Sequence, residues 1–140
     1  MQDWYTQMEQ NLMLTSNEGS TFEDPTKYRK LVGILIYLTN THPDITFAIG
    51  ILSRFMHHPC EGHWNAAKRV LKYLKGTQSY GIKYSKVLDL HLIGYSNSDF
   101  DGDKEHGVST LGYLMNIGSA AITWRSRKQS VLLQLKPNML

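Results

Sequence analysis

Apolar positions recur at helical spacing through the first half of the chain and at alternating spacing after it. Tyr28, Leu31, Val32, Leu35 and Leu38 lie on one face of a 3.6-residue period, and Asp24 followed by Pro25 supplies an N-cap and a first-turn proline. A second helix is expected from Pro43, with Ile45, Ala48, Ile49, Leu52, Phe55 and Met56 on one stripe and Pro59 ending it. The third has the sharpest division: Trp64, Ala67, Val70, Leu71 and Leu74 on one side, Lys68, Arg69, Lys72 and Lys75 on the other, with Gly76 placed as a C′ glycine. From Tyr80 the pattern alternates through Ile82 and Tyr84 and then Leu90 and Leu92, which predicts strands. Runs at Ser109 to Ile117 and Ala120 to Arg125, separated by Gly118, read as a hairpin. The expected architecture is α+β: a weakly ordered arm over 1–24, a helical unit over 25–78, and an antiparallel meander of four or five strands over 79–140.

Charge sharpens this division. The net charge of +3 is unevenly spread. Residues 1–26 hold five acids and no lysine or arginine, whereas 54–86 hold Arg54, Lys68, Arg69, Lys72, Lys75, Lys83 and Lys86 against Glu61 alone. An acidic run, Asp99, Asp101, Asp103 and Glu105, precedes a basic tail containing Arg125, Arg127, Lys128 and Lys136. Blocks of this kind suit a protein that handles a polyanion, and they also arise on solvated helix faces. Cys60 is the only cysteine, so an internal disulfide and a cysteine-rich zinc site are excluded; a small half-buried residue at a helix junction is its expected role. His57, His58 and His63 are expected as surface histidines, and Trp4, Trp64 and Trp124 as packing residues. The Asp99, Asp101 and Asp103 alternation lacks the glycine position and terminal Glu of a calcium loop. No stretch approaches the roughly 18 apolar residues of a membrane span, and the first ten residues do not resemble a secretory signal. The expectation is a soluble protein of the cytoplasm or nucleus.

Several long motifs carry a family likeness. Tyr28-Arg-Lys-Leu-Val-Gly-Ile-Leu-Ile-Tyr-Leu-Thr39, His42-Pro-Asp-Ile-Thr-Phe-Ala48 and His63-Trp-Asn-Ala-Ala-Lys-Arg-Val-Leu-Lys-Tyr-Leu-Lys-Gly-Thr77 closely resemble the segment after the polymerase palm in Ty1/copia retrotransposon Pol polyproteins. Met8-Glu-Gln-Asn-Leu12 resembles the linker before it. Gly94-Tyr-Ser-Asn-Ser-Asp-Phe-Asp-Gly-Asp103, Ser109-Thr-Leu-Gly-Tyr113 and Ile122-Thr-Trp-Arg-Ser-Arg-Lys-Gln-Ser130 resemble the opening of the ribonuclease H domain of the same elements. The resemblance spans about residues 8 to 130 and suggests a plant source. It implies a three-helix thumb-like unit, which grips primer and template through their backbones, joined to the first strands of a truncated ribonuclease H-like sheet. Lys68, Arg69, Lys72 and Lys75 are the candidate phosphate contacts, chosen on general physical grounds.

The resemblance also identifies what catalysis would need. Polymerisation requires paired aspartates in a Tyr-x-Asp-Asp turn, and no such turn occurs here. Ribonuclease H chemistry requires several carboxylates around two magnesium ions about 4 Å apart. The first metal-ligating aspartate of the family pattern is replaced by Asn97, with Asp99 two residues on. An amide oxygen can touch a hard cation but brings it no charge. The next expected carboxylate falls in Val131-Leu-Leu-Gln-Leu-Lys-Pro-Asn138, which has none. The leading expectation is therefore a catalytically inactive remnant of the polyprotein, not an enzyme, with no cofactor of its own although the intact family uses magnesium. It would bind RNA or DNA weakly and no small-molecule substrate. Two rivals are a domesticated nucleic-acid-binding module using the basic third helix and an interaction or secreted effector-like protein from the same element. A third is a subunit completed by another chain.

Overall fold

The computed structural model describes residues 6–9, 12, 14–99 and 108–129, with Asp99 described by its backbone alone. Among these residues three α-helices precede three strands: α1 (Pro25–Leu38), α2 (Thr46–Leu52), α3 (Glu61–Gly76), β1 (Leu92–Asp99), β2 (Thr110–Ile117) and β3 (Ala120–Lys128). The chain is α+β, and its strands form one antiparallel sheet in the order β1-β2-β3. Trp4, Asp101, Asp103 and the 130–140 tail fall outside the described residues.

The first helix starts as its residues dictate. The Asp24 carboxylate accepts from the Lys27 backbone N–H at 2.9 Å, and Pro25 gives up no needed donor. Its inward face buries Tyr28, Val32 and Leu35. The second expected helix is shorter than its pattern. It opens with a 3₁₀ turn over Pro43–Ile45, runs as α2, and tightens again to 3₁₀ over Ser53–Phe55. Two competing bonds accompany that tightening. The Tyr28 hydroxyl donates to the Leu52 carbonyl at 2.8 Å, and the Ser53 hydroxyl donates to the Gly50 carbonyl at 2.8 Å. Ile45, Ala48, Ile49 and Leu52 nevertheless reach the core.

The buried stripe of α3 is rotated from the one its apolar residues predict. His63, Ala66, Ala67, Val70 and Tyr73 are buried, Trp64 and Leu74 are half-buried, and Leu71 is exposed. The tyrosine explains part of the rotation, because its ring is buried while its hydroxyl donates to the Asp44 carboxylate at 2.6 Å. Gly76 is the last helical residue and not a C′ residue. Thr77 caps the helix, its backbone N–H and hydroxyl both donating to the Tyr73 carbonyl.

Residues 14–22, expected as part of a weakly ordered arm, dock on the start of α3. Phe22 N–H donates to the Pro59 carbonyl, Glu61 N–H to Ser20 and Gly62 N–H to Glu18, each at 2.9 Å. Met8, Leu12 and Leu14 also pack against the core. At Gly62 the approach is so close that a Cβ would stand 2.6 Å from Glu18 Cβ and 2.9 Å from its carbonyl oxygen.

Strands begin later than the alternation predicts. Among the described residues there are three strands and not four or five, and none lies between Tyr80 and His91. Among the described residues no strand pairs with them, so their alternation serves no ladder there. Scattered bonds hold the segment to the tip of the β2–β3 hairpin instead: the Tyr84 hydroxyl donates to the Ala121 carbonyl at 2.6 Å, Ser85 N–H to the Ser119 hydroxyl at 2.9 Å and Gly118 N–H to the His91 carbonyl at 3.1 Å. The hairpin turns at Gly118, whose φ of 57° lies in the left-handed region. The sheet meets the helices through β3 and α2. Trp124 Nε1 donates to the Thr39 carbonyl at 2.6 Å, and Arg54 donates to the Thr110 hydroxyl at 2.9 Å.

Candidate nucleic-acid interface

The buried face of α3 determines what its other face can offer. With His63, Ala67 and Val70 turned inward, Trp64, Lys68, Lys72 and Lys75 follow one another at spacings of four, four and three residues along the outward side. The three lysines are exposed. Trp64 anchors the N-terminal end of the stripe, one ring face stacked on Phe22 with centroids 4.8 Å apart. Two ammonium groups approach it, Lys27 at 5.2 Å and Lys68 at 6.0 Å from the ring centroid. Contacts of this length to an indole favour the cation and hold it near the surface without neutralising it.

Arg69 stands apart from the other three candidates. It lies about a quarter turn round the helix from Lys68 and only 19% of its side chain is exposed. Its guanidinium donates to the Thr6 carbonyl at 3.4 Å, to the Thr6 hydroxyl at 2.9 Å and to the Glu9 carboxylate at 3.3 Å. In this structure that charge ties the N-terminal segment to α3. Lys27, which the linear charge blocks leave outside the basic region, shares the Trp64 ring with Lys68 because α1 and α3 pack together. Only the tertiary fold carries that signal.

The histidines divide differently from the expectation. His57 and His58 are exposed, but His63 is fully buried. Its Nδ1 accepts from the Cys60 backbone N–H at 2.9 Å and its Nε2 donates to the Thr15 carbonyl at 2.8 Å, which selects the neutral ring protonated on Nε2. The ring also stacks on Phe55, with centroids 3.9 Å apart. His63 is thus a helix cap and a core residue, and the surface assignment is corrected. Cys60 is buried beside it, the thiol donating to the Ser16 carbonyl at 3.3 Å.

Asn97 is exposed on β1, opposite Gly112 of β2, and the Asp99 backbone pairs with Thr110. Among the described residues no three His, Cys, Asp or Glu side chains come together as a metal-binding group. Trp124 is half-buried at the junction of sheet and helices, where its indole hydrogen bond joins the two. Among the described residues no helix is long and apolar enough to cross a membrane.

Comparison with known proteins adds the family context. The chain is 46% identical over 124 residues to the retrovirus-related Pol polyprotein from transposon RE2 of Arabidopsis thaliana, a match covering 89% of this chain and 8% of that protein. It is 39% identical over 103 residues to the corresponding polyprotein from transposon TNT 1-94 of Nicotiana tabacum, again 8% of that protein's length. A shorter relative, secreted RxLR effector protein 161 of Plasmopara viticola, is 45% identical over 103 residues, covering 73% of this chain and 72% of the effector. The chain therefore spans about 8% of the length of the transposon polyproteins it matches. No protein-family model and no solved structure matches it.

Proposed function

Because the chain belongs to the family of retrovirus-related Pol polyproteins of copia-type transposons, we propose that it is a non-catalytic segment of such a polyprotein. In this reading α1 to α3 form a thumb-like unit that contacts the backbone of a nucleic-acid duplex, and β1 to β3 are the opening strands of a ribonuclease H-like sheet. Asn97 carries the reading. It occupies the position where a metal-dependent nuclease needs a carboxylate, and an amide brings no charge to a site whose hold on magnesium depends on charge.

The binding half of the proposal follows from the stripe on α3. Lys68, Lys72 and Lys75 stand in a row at the pitch of the helix, able to approach neighbouring phosphates of one strand while reading no base. Three phosphate contacts release about 0.9 counterions each, so the plot of log affinity against log salt should slope at about −3. The experiment is a salt titration of binding to an RNA/DNA hybrid, with the Lys68→Gln/Lys72→Gln/Lys75→Gln variant beside the natural chain. The variant should bind more weakly and flatten the slope. Salt-independent binding, or strong preference for one sequence, contradicts the proposal.

A further inference from the structure

Between the turn that opens α2 and one face of the sheet lies a cleft of about 270 Å³, close to the lower end of small-ligand sites, which run from about 300 to 1,000 Å³. Pro43 and Phe47 line it from the helical unit, and Tyr95, Asn97, Trp124 and Arg125 from the sheet. Phe47 is 51% exposed and Tyr95 57% exposed. Two large rings from different elements thus border one opening, and neither is needed to close the core.

We propose that this cleft is a stacking slot for one base of a single-stranded nucleic acid. The inference rests on the reading of the chain as a nucleic-acid-contacting segment and adds to it a second contact, made by other residues than the α3 lysines and of a different kind. Four features select a base as the occupant. The rings of Phe47 and Tyr95 offer faces that every base can use. Asn97 brings an amide donor and acceptor to the wall, where a base edge could be met; its cross-strand partner Gly112 has no side chain to crowd it. Among the described residues that line it, Arg125 is the one charged side chain and none is acidic, which suits a chain of phosphates. The Trp124 indole is fixed by its bond to Thr39, giving the slot a rigid back.

The test is the affinity of the whole chain for two probes, measured by anisotropy: a labelled short oligodeoxythymidylate and an abasic oligonucleotide of equal length. The base-bearing probe should bind at least about fivefold more tightly, the lower end of what one stacked base contributes. Phe47→Ala and Tyr95→Ala should each erase most of that difference, whereas Tyr95→Phe, which keeps the ring, should preserve it. Both positions are solvent-exposed, and circular dichroism establishes that the variants remain folded. Equal affinity for the two probes, with loss on Lys68→Gln/Lys72→Gln/Lys75→Gln, overturns the slot and leaves the polyanion contact standing. Binding of neither probe overturns both. Base-independent binding together with capture of a tryptophan-containing peptide by the slot assigns it to a protein partner and equally overturns the proposal.

Discussion

Replacing Gly62 with alanine should destabilise the protein, although the same change in an open helical position should stabilise it. An alanine in an exposed helix is favoured over glycine by roughly 0.5–1 kcal/mol. At Gly62 the added Cβ would stand 2.6 Å from Glu18 Cβ and 2.9 Å from the Glu18 carbonyl oxygen. The second of these is backbone, so the segment over 14–22 must move away from α3. Moving it strains the Gly62–Glu18 and Glu61–Ser20 hydrogen bonds, both 2.9 Å long. Overpacking of this kind costs about 1–3 kcal/mol, and each weakened hydrogen bond roughly another 0.5–1.5 kcal/mol. Those losses, about 2–6 kcal/mol together, exceed the propensity gain and leave a net destabilisation of about 1–5 kcal/mol. At roughly 4 °C per kcal/mol for a chain of this size, thermal unfolding should fall by about 4–20 °C. Gly33→Ala is the internal control, since Gly33 lies within α1 with nothing within 4 Å of a Cβ, and it should raise the midpoint slightly. A Gly62→Ala variant as stable as Gly33→Ala would refute the docking of residues 14–22 on α3.

Three further outcomes follow from the packing. Tyr28→Phe removes the hydroxyl that donates to the Leu52 carbonyl and should cost about 0.5–1.5 kcal/mol in a denaturant titration at neutral pH; no loss would mean that the bond adds nothing. Stability should fall as pH rises above about 10, because burial raises Tyr28 and burial with the Asp44 contact raises Tyr73 above the ordinary value of 10.0, so the unfolded chain releases these protons first. Tyr28→Phe should flatten that alkaline decline, and an unchanged slope would exclude Tyr28 as its source. The sheet exposes Leu92, Leu111, Tyr113 and Ile117, a surface that favours association, so sedimentation should show concentration-dependent oligomers; a monodisperse monomer at high concentration would contradict this.

Local signals made the beginnings of elements legible. Asp24 with Pro25 marked α1, Pro43 marked the turn into α2, and Gly118 marked the hairpin, because caps and left-handed turns depend on residues close in sequence. Contacts between distant residues were not legible. His63 reads as polar, yet its ring is satisfied by Thr15, 48 residues away, and covered by Phe55. Arg69 reads as one of four equivalent cations until Thr6 and Glu9, sixty or more residues away, are placed beside it. The alternation over 80–91 resembles a strand, but alternation describes two faces and supplies no partner. At the candidate site, the lysine stripe and Asn97 were visible as residues in motifs, and Trp124 was recognisable as a packing residue. Lys27 beside Trp64, and Phe47 across from the sheet, arise from the way three separate elements meet.

The most direct test of the central claim, that this segment does no nuclease chemistry, is cleavage of a labelled RNA strand in an RNA/DNA hybrid with magnesium or manganese. The natural chain and Asn97→Asp are compared with a metal-only control. Restoring one carboxylate at the end of β1 could strengthen cation binding there, but two-metal catalysis needs both ions fixed on opposite sides of the scissile phosphate by several ligands. Neither protein should cleave above control. Cleavage by Asn97→Asp would show that a single missing ligand separates this segment from activity, and cleavage by the natural chain would contradict the claim outright.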